Sequence, residues 1–270
     1  MSAPLGPAAA SRISYACYGH CRRTGEQFVP QHVFSHQLAG QTVVSDGDQT
    51  HVFAPGSFRL IRRNHLFKFT KQPPASGGDF RTVAVCLGQS VLQALSQEQG
   101  YPAGHAPPAP AIWSLTPNTL LESYFESLRP YQQLVHFPLP LQDLKVREAA
   151  LLLLQATPAL QAVLFDFAEP GKLDLAAFME KNFRFNVNLS RFAYLTGRSL
   201  ATFKRDFARL FRQPPSRWLV QRRLREARFL LLEKGQTPAQ VYLEVGFEDL
   251  SHFSFAFKKA YGLAPSRLGG

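Results

Sequence analysis

Two stretches in the C-terminal part of the chain follow one plan. The first reads Leu189-Ser-Arg-Phe-Ala-Tyr-Leu-Thr-Gly197, continues Ser199-Leu-Ala-Thr-Phe203-Lys-Arg-Asp-Phe207 and closes on Pro215-Ser216-Arg217. The second reads Pro238-Ala-Gln-Val-Tyr-Leu-Glu-Val-Gly246, continues Asp249-Leu-Ser-His-Phe253-Ser-Phe-Ala-Phe257 and closes on Pro265-Ser266-Arg267. Each is a short apolar-periodic helix, a turn centred on Gly and a second, more basic helix. That order is a helix-turn-helix, the unit that places one helix in a DNA major groove. Two tandem copies predict an all-α domain that reads two successive grooves.

Charge is distributed as this reading requires. Residues 171–270 hold 18 Lys and Arg against 8 Asp and Glu, a net of +10. Residues 1–170 hold 12 against 11, a net of +1. A basic half joined to a neutral half suits a polyanion-binding module carried by a module with another task, because phosphate neutralisation supplies most of the affinity for nucleic acid. A membrane surface would also attract the basic half. Its cationic faces are backed by packed Phe and Leu, however, so little apolar surface is left for lipid.

A helix from Arg217 to Glu233, with Ser216 as its cap and Gly235 as its stop, is the expected spacer between the two units, roughly 25 Å long at about 1.5 Å per residue. Val220, Leu224, Ala227 and Leu231 form its expected buried stripe, with Gln221, Arg222, Arg225 and Arg228 solvated. That length suits reading heads about 34 Å apart, one turn of DNA. In the first unit Leu200, Phe203, Phe207 and Leu210 share one helical face and are expected in the core. Rotation by about 100° per residue places Ala201, Thr202, Arg205, Ala208, Arg209 and Arg212 opposite them. Arg205, central on that face, is the expected guanine contact, and Ala201 and Thr202 meet a base edge or a thymine methyl. Ser199, Lys204, Arg209 and Arg212 are the expected phosphate contacts. In the second unit Phe253, Phe257 and Tyr261 go to the core and Asp249 caps the helix. Ser251, His252 and Phe255 face the bases, while Ser254, Lys258 and Lys259 face phosphates. Phe255 occupies the place that Arg205 holds in the first unit, so this helix is expected to contribute phosphate contacts and shape readout more than base choice.

The run Gly246-Phe-Glu-Asp-Leu-Ser-His-Phe253-Ser-Phe-Ala-Phe257-Lys-Lys-Ala-Tyr-Gly262-Leu-Ala-Pro265-Ser266 resembles the signature of the AraC/XylS family of bacterial transcription regulators. The likeness extends over roughly residues 173–268. It includes a turn one residue longer in the second unit, seven steps from Gly246 to Phe253 against six from Gly197 to Phe203. The resemblance implies two helix-turn-helix units joined by one helix, and recruitment of RNA polymerase to promoters, most often as an activator. It also implies a cupin-like sensor and dimerisation domain ahead of them. Arg198 stands where the family usually has an aromatic, and Phe255 where it often has Arg.

Residues 1–168 are expected to form that N-terminal domain. Short runs rich in β-branched and aromatic residues begin at Val33, Gln41, Thr50, Ser57, Leu66 and Phe80, separated by turn signals at Gly40, Asp46-Gly47, Pro55-Gly56 and Gly77-Gly78. Six such strands predict an antiparallel β-barrel or sandwich, and barrels of this size can hold one small ligand. Residues 100–111 read as a Pro-rich loop. Helices are expected over 116–130 and 141–156, and their apolar faces suit either packing on the barrel or a homodimer interface. Glu169-Pro170-Gly171-Lys172 is the expected boundary, so the chain reads as an α+β two-domain protein.

Other chemistry finds little support. His-x-His pairs of metal-binding cupins are absent, and His32 and His36, four apart in a strand, lie about 13 Å from each other. No metal site, cofactor or catalytic residue is expected. Cys17-Tyr-Gly-His20-Cys21 lacks a second Cys pair to complete a zinc site, and Cys86 reads as core. Three Cys, no secretory signal and no apolar run of about 18 residues point to the cytoplasm. The expected function is sequence-specific transcription regulation through double-stranded DNA, tuned by a small molecule or a protein partner. An alternative centres on the barrel as a small-molecule or protein-binding module, or a metal-independent enzyme, with DNA binding secondary.

Overall fold

The computed structural model describes residues 12–18, 23–104, 109–134 and 137–268. His20 and Cys21 lie outside the described residues. The chain divides into two compact units, the first, built on β-sheets, ending at Ala168 and the second, built on helices, running from Glu169, with residues 47–49 and 66–68 grouped with the second.

The first unit has nine strands: β1 Ile13–Tyr18, β2 Arg23–Val29, β3 His32–Ala39, β4 Gln41–Ser45, β5 Thr50–Phe53, β6 Phe58–Ile61, β7 His65–Gln72, β8 Phe80–Leu87 and β9 Ile112–Leu115. They form a five-stranded sheet in the order β1-β8-β3-β6-β9 and a four-stranded sheet in the order β2-β7-β4-β5. All six expected strands are present. The three unforeseen ones, β1, β2 and β9, lie at sheet edges. An edge strand buries few side chains: β1 and β2 each fully bury a single residue, so no apolar alternation marks them. Helix α1, Gln89–Gln99, was also not foreseen; it buries Val91, Leu92 and Leu95 and ends on Gly100 in the left-handed conformation.

The five-stranded sheet has two dissimilar faces. Phe34, Phe58, Leu60, Val83 and Val85 turn to one side and join Leu121, Tyr124 and Phe125 of α2 (Thr119–Ser127) in the main core, with Val146, Ala149, Ala150 and Leu153 of α3 (Leu139–Ala156). Each Val, Leu or Phe among them removed from water contributes on the order of 2 kcal/mol. The opposite side of the same strands carries Ser35, Gln37, Arg59 and Thr82, all buried. His36 lies on the apolar side, stacked at 4.1 Å on Phe58. Helix α2 starts three residues later than the sequence suggests, because Asn118 caps it by accepting from Leu121 N at 3.0 Å. Its expected end at Pro130 becomes a separate 3-10 turn, Arg129–Gln133. Helix α3 begins two residues early, with Pro140 in its first turn, where its missing N–H is not needed. Short α4, Leu160–Leu164, completes the unit.

The second unit contains α5 Leu175–Asn182, α6 Leu189–Leu195, α7 Leu200–Phe211, α8 Pro215–Glu233, α9 Pro238–Glu244 and α10 Leu250–Tyr261. No helix among the described residues is long and apolar enough to cross a membrane.

Candidate nucleic-acid interface

The first head is α6, a turn and α7. Asn188 caps α6 by accepting from Arg191 N at 2.9 Å, and Ser199 caps α7 by accepting from Thr202 N at 3.2 Å. Between them Gly197 has φ +64°, and a Cβ there would lie 2.5 Å from Gly171 O. Both the conformation and the space therefore require glycine. Phe203 and Phe207 are fully buried, and Phe207 packs on Phe211 and Trp218 with ring centroids 4.4 and 5.6 Å away.

Two expected core residues of this helix are not core. Leu200 and Leu210 are 39% and 52% exposed, because they flank the buried stripe and Phe211 turns in against Trp218 instead. The opposite face matches the expected residues: Ala201, Lys204, Arg205, Ala208, Arg209 and Arg212 are exposed and Thr202 is half-buried. The Ser199 hydroxyl, expected on a phosphate, is engaged locally and donates to Thr202 Oγ1 at 3.0 Å.

Asp206 is the one acid on α7, and it is turned away from this face. It is 7% exposed and accepts from Arg198 Nε at 3.2 Å. That hydrogen bond holds its carboxyl below the usual carboxylate range. Arg198 also donates through Nη1 to Leu173 O at 3.0 Å and Thr196 O at 2.7 Å. The residue at the aromatic position of the family pattern thus ties the turn to the start of the domain and neutralises the helix's acid. What remains outward is cationic, with the Arg205 side chain 77% exposed and its Nε 3.8 Å from Asp206 Oδ1.

The second head is α9, a turn and α10. Thr237 and Gln240 form a capping box at α9. Gly246 has φ +96°, and a Cβ on it would meet Arg184 O at 2.5 Å. Asp249 caps α10 as expected, accepting from His252 N at 2.6 Å. Phe253 and Phe257 are fully buried, while Tyr261 is half-buried and packs on Phe257 at 4.7 Å. Ser251, His252, Phe255, Lys258 and Lys259 are exposed and Ser254 is half-buried. Phe255 is 70% exposed.

Helix α8 joins the heads over 19 residues, about 28 Å. It begins before the expected Ser216 cap, with Pro214 in the cap position and Pro215 opening the helix, where φ is already set. Its buried face is wider than the expected stripe: Trp218, Leu219, Arg223 and Leu230 are buried with Leu224, Ala227 and Leu231, while Val220 is half-buried. Arg222, expected in solvent, is half-buried over the Phe183 ring at 4.0 Å and paired with Glu180 at 2.8 Å and Glu226 at 3.0 Å. Sequence reasoning also missed Arg223. Its guanidinium donates to Phe183 O, Phe185 O and Gly246 O, each at 2.8 Å. Three carbonyls satisfy a buried cation, joining the segment after α5 to the turn of the second head. One Arg in the basic run Gln221-Arg-Arg-Leu-Arg225 carries no mark of that role in sequence.

The chain matches two known families: a helix-turn-helix domain over residues 192–269 and the ExsA N-terminal regulatory domain over residues 32–163. It is 30% identical over 237 residues to the HTH-type transcriptional regulator ExsA of Pseudomonas aeruginosa, covering 85% of this chain and 83% of that protein. The virulence regulon transcriptional activator VirF of Yersinia enterocolitica is 27% identical over 241 residues, covering 85% and 86%. Among solved structures, apo ToxT from Vibrio cholerae aligns over 96% of this chain and 98% of its own at 12% identity, with a TM-score of 0.44. With its doubled helix-turn-helix and the regulatory domain ahead of it, the chain belongs to the AraC/XylS family of DNA-binding transcription regulators.

Proposed function

We propose that this regulator activates transcription by laying α7 and α10 into successive major grooves, with Arg205 choosing the base and the second head holding the duplex. The observation that carries this reading is the outward face of α7. Arg205 stands at its centre among Ala201, Thr202 and Ala208, small enough to allow close approach, while Asp206 is held inward by Arg198. A bidentate guanidinium on guanine O6 and N7 is the chemistry such an arginine supplies. Lys204, Arg209 and Arg212 flank it as phosphate contacts, and Lys258 and Lys259 do the same for α10.

Arg205→Ala tests it. Affinity for the footprinted promoter site should fall by about 1–3 kcal/mol, with far less loss on random DNA. Equal losses on both would make Arg205 a phosphate contact and sink the base-choosing role.

The first unit, in this reading, adjusts DNA binding from the cytoplasm through an effector and through self-association. Leu120, Leu141, Leu144 and Leu151 of α2 and α3 are each more than a third exposed. A leucine row of this kind suits a second copy of the chain. Sedimentation of Leu144→Glu should show a shift from dimer to monomer, and an unchanged profile would remove these helices as the interface. Contact with RNA polymerase completes the activator role.

A further inference from the structure

The inward side of the five-stranded sheet buries Ser35, Gln37, Arg59 and Thr82 where a β-sandwich core is ordinarily apolar. Across the five-stranded sheet, Ser14, Ala84, Ser35, Arg59 and Ser114 form one cross-strand row. Arg59 is its only long side chain, and its guanidinium reaches the other sheet, 4.8 Å from the Phe53 ring. Arg59 is 4% exposed, and its Nε is buried with no hydrogen-bond partner. Its Nη1 donates to Gln37 Oε1 at 3.4 Å, an oxygen already taken by Thr42 Oγ1 at 2.7 Å.

From the opposite sheet Lys71 points back, its Nζ 5.1 Å from the Phe69 ring and 5.8 Å from Phe80. Burial and the neighbouring Arg59 and Arg23 push the Lys71 ammonium below its ordinary range. Tyr18 stacks on Phe80 at 5.0 Å, and its hydroxyl is buried without a partner. Arg23 covers the Tyr18 ring at 3.9 Å. No carboxylate among the described residues pairs with Arg23, Arg59 or Lys71. Aromatic faces offset part of the cost of burying these charges, but not the whole of it.

We propose that the inward side of the barrel, at Arg59, Lys71 and Tyr18, binds a dianionic oxyanion, the phosphoryl group of a small phosphorylated molecule. Arg59 and Lys71 offer donors only and the Tyr18 hydroxyl can donate as well, which suits a ligand group that only accepts. Three cations are in reach, so a monocarboxylate would leave most of the positive charge uncompensated, whereas a phosphoryl dianion neutralises two of them. A neutral sugar hydroxyl would need acceptors, and Gln37 Oε1 is occupied. This inference rests on reading the first unit as the sensor of the regulator.

Calorimetry on the full chain, titrating inorganic phosphate and, at matched ionic strength, acetate, tests the proposal. The variants are Lys71→Met, Tyr18→Phe and a triple Arg205→Ala, Lys258→Ala, Lys259→Ala variant stripped on the DNA-facing helices. Expected are one-to-one phosphate binding, acetate at least tenfold weaker, binding kept in the triple variant, and losses of at least tenfold in Lys71→Met and severalfold in Tyr18→Phe. Tyr18→Phe removes one oxygen from a half-buried ring, so it decides the matter if Lys71→Met does not fold. Absence of phosphate binding, equal affinity for acetate, or binding lost in the triple variant but kept in Tyr18→Phe would each overturn the site. Promoter affinity is measured on the same samples: intact DNA binding without phosphate binding fails this inference alone, whereas loss of specific DNA binding by the wild type fails the reading beneath it.

Discussion

At the centre of its outward face the first head carries Arg205, 77% exposed in its side chain, and the second carries Phe255, 70% exposed. Behind those faces the heads are close copies. Phe203 and Phe207 in one, and Phe253 and Phe257 in the other, are wholly buried, with ring centroids 5.6 Å apart in both pairs. Each turn has a glycine with positive φ pressed against a carbonyl, and each second helix has a side-chain cap. The shared features are those that make a head fold, and the differing one is exposed and free of folding duty. A duplicated scaffold can thus diverge in what it reads while its packing stays fixed.

If the cores are equivalent, Phe207→Ala and Phe257→Ala should each cost about 3–5 kcal/mol in urea unfolding of the second unit. A cost confined to one head would break the equivalence. On the outward side the expectation reverses. Arg205→Ala should lose about 1–3 kcal/mol on the specific site, and Phe255→Ala well under half of that. Equal losses in the two heads would make both of them readers. The caps should again behave alike, with Ser199→Ala and Asp249→Ala each lowering stability by about 1 kcal/mol. Smallest at any one salt concentration is the effect of Lys258→Ala with Lys259→Ala. Binding should weaken alike on all sequences, and the slope of log affinity against log salt should become shallower by about two; a loss restricted to the specific site would give the second head a reading role.

Sequence and structure agree most closely where one side chain answers to one periodic rule. The turn glycines, the paired phenylalanines and the Asp249 cap were legible because φ, burial and orphan N–H groups each demand a narrow set of residue types. Leu200 and Leu210 were misplaced because apolar type marks the edges of a buried stripe as readily as its centre. Edge strands β1, β2 and β9 escaped because half of their surroundings is solvent. Arg222 and Arg223 looked like ordinary charge on a solvated helix. Their partners are carboxylates and backbone carbonyls as much as 42 residues away, and local periodicity cannot see so far. The exposed face of α7 was readable from helical rotation alone, whereas the inward pairing of Asp206 with Arg198 needed the fold.

The three carbonyls gathered by Arg223 have a consequence on the DNA side. A guanidinium bonded both to the segment after α5 and to the turn of the second head leaves little play between the parts that carry α7 and α10. Under the proposed docking of α7 and α10, the promoter would then supply its two half-sites in a fixed phase. One base pair inserted between them swings the far half-site by about 34° around the duplex axis, since a turn takes about 10.5 pairs. On that reading a protein tied in this way does not follow the rotation and releases one groove, so operator spacing would be a calliper set by a single buried arginine.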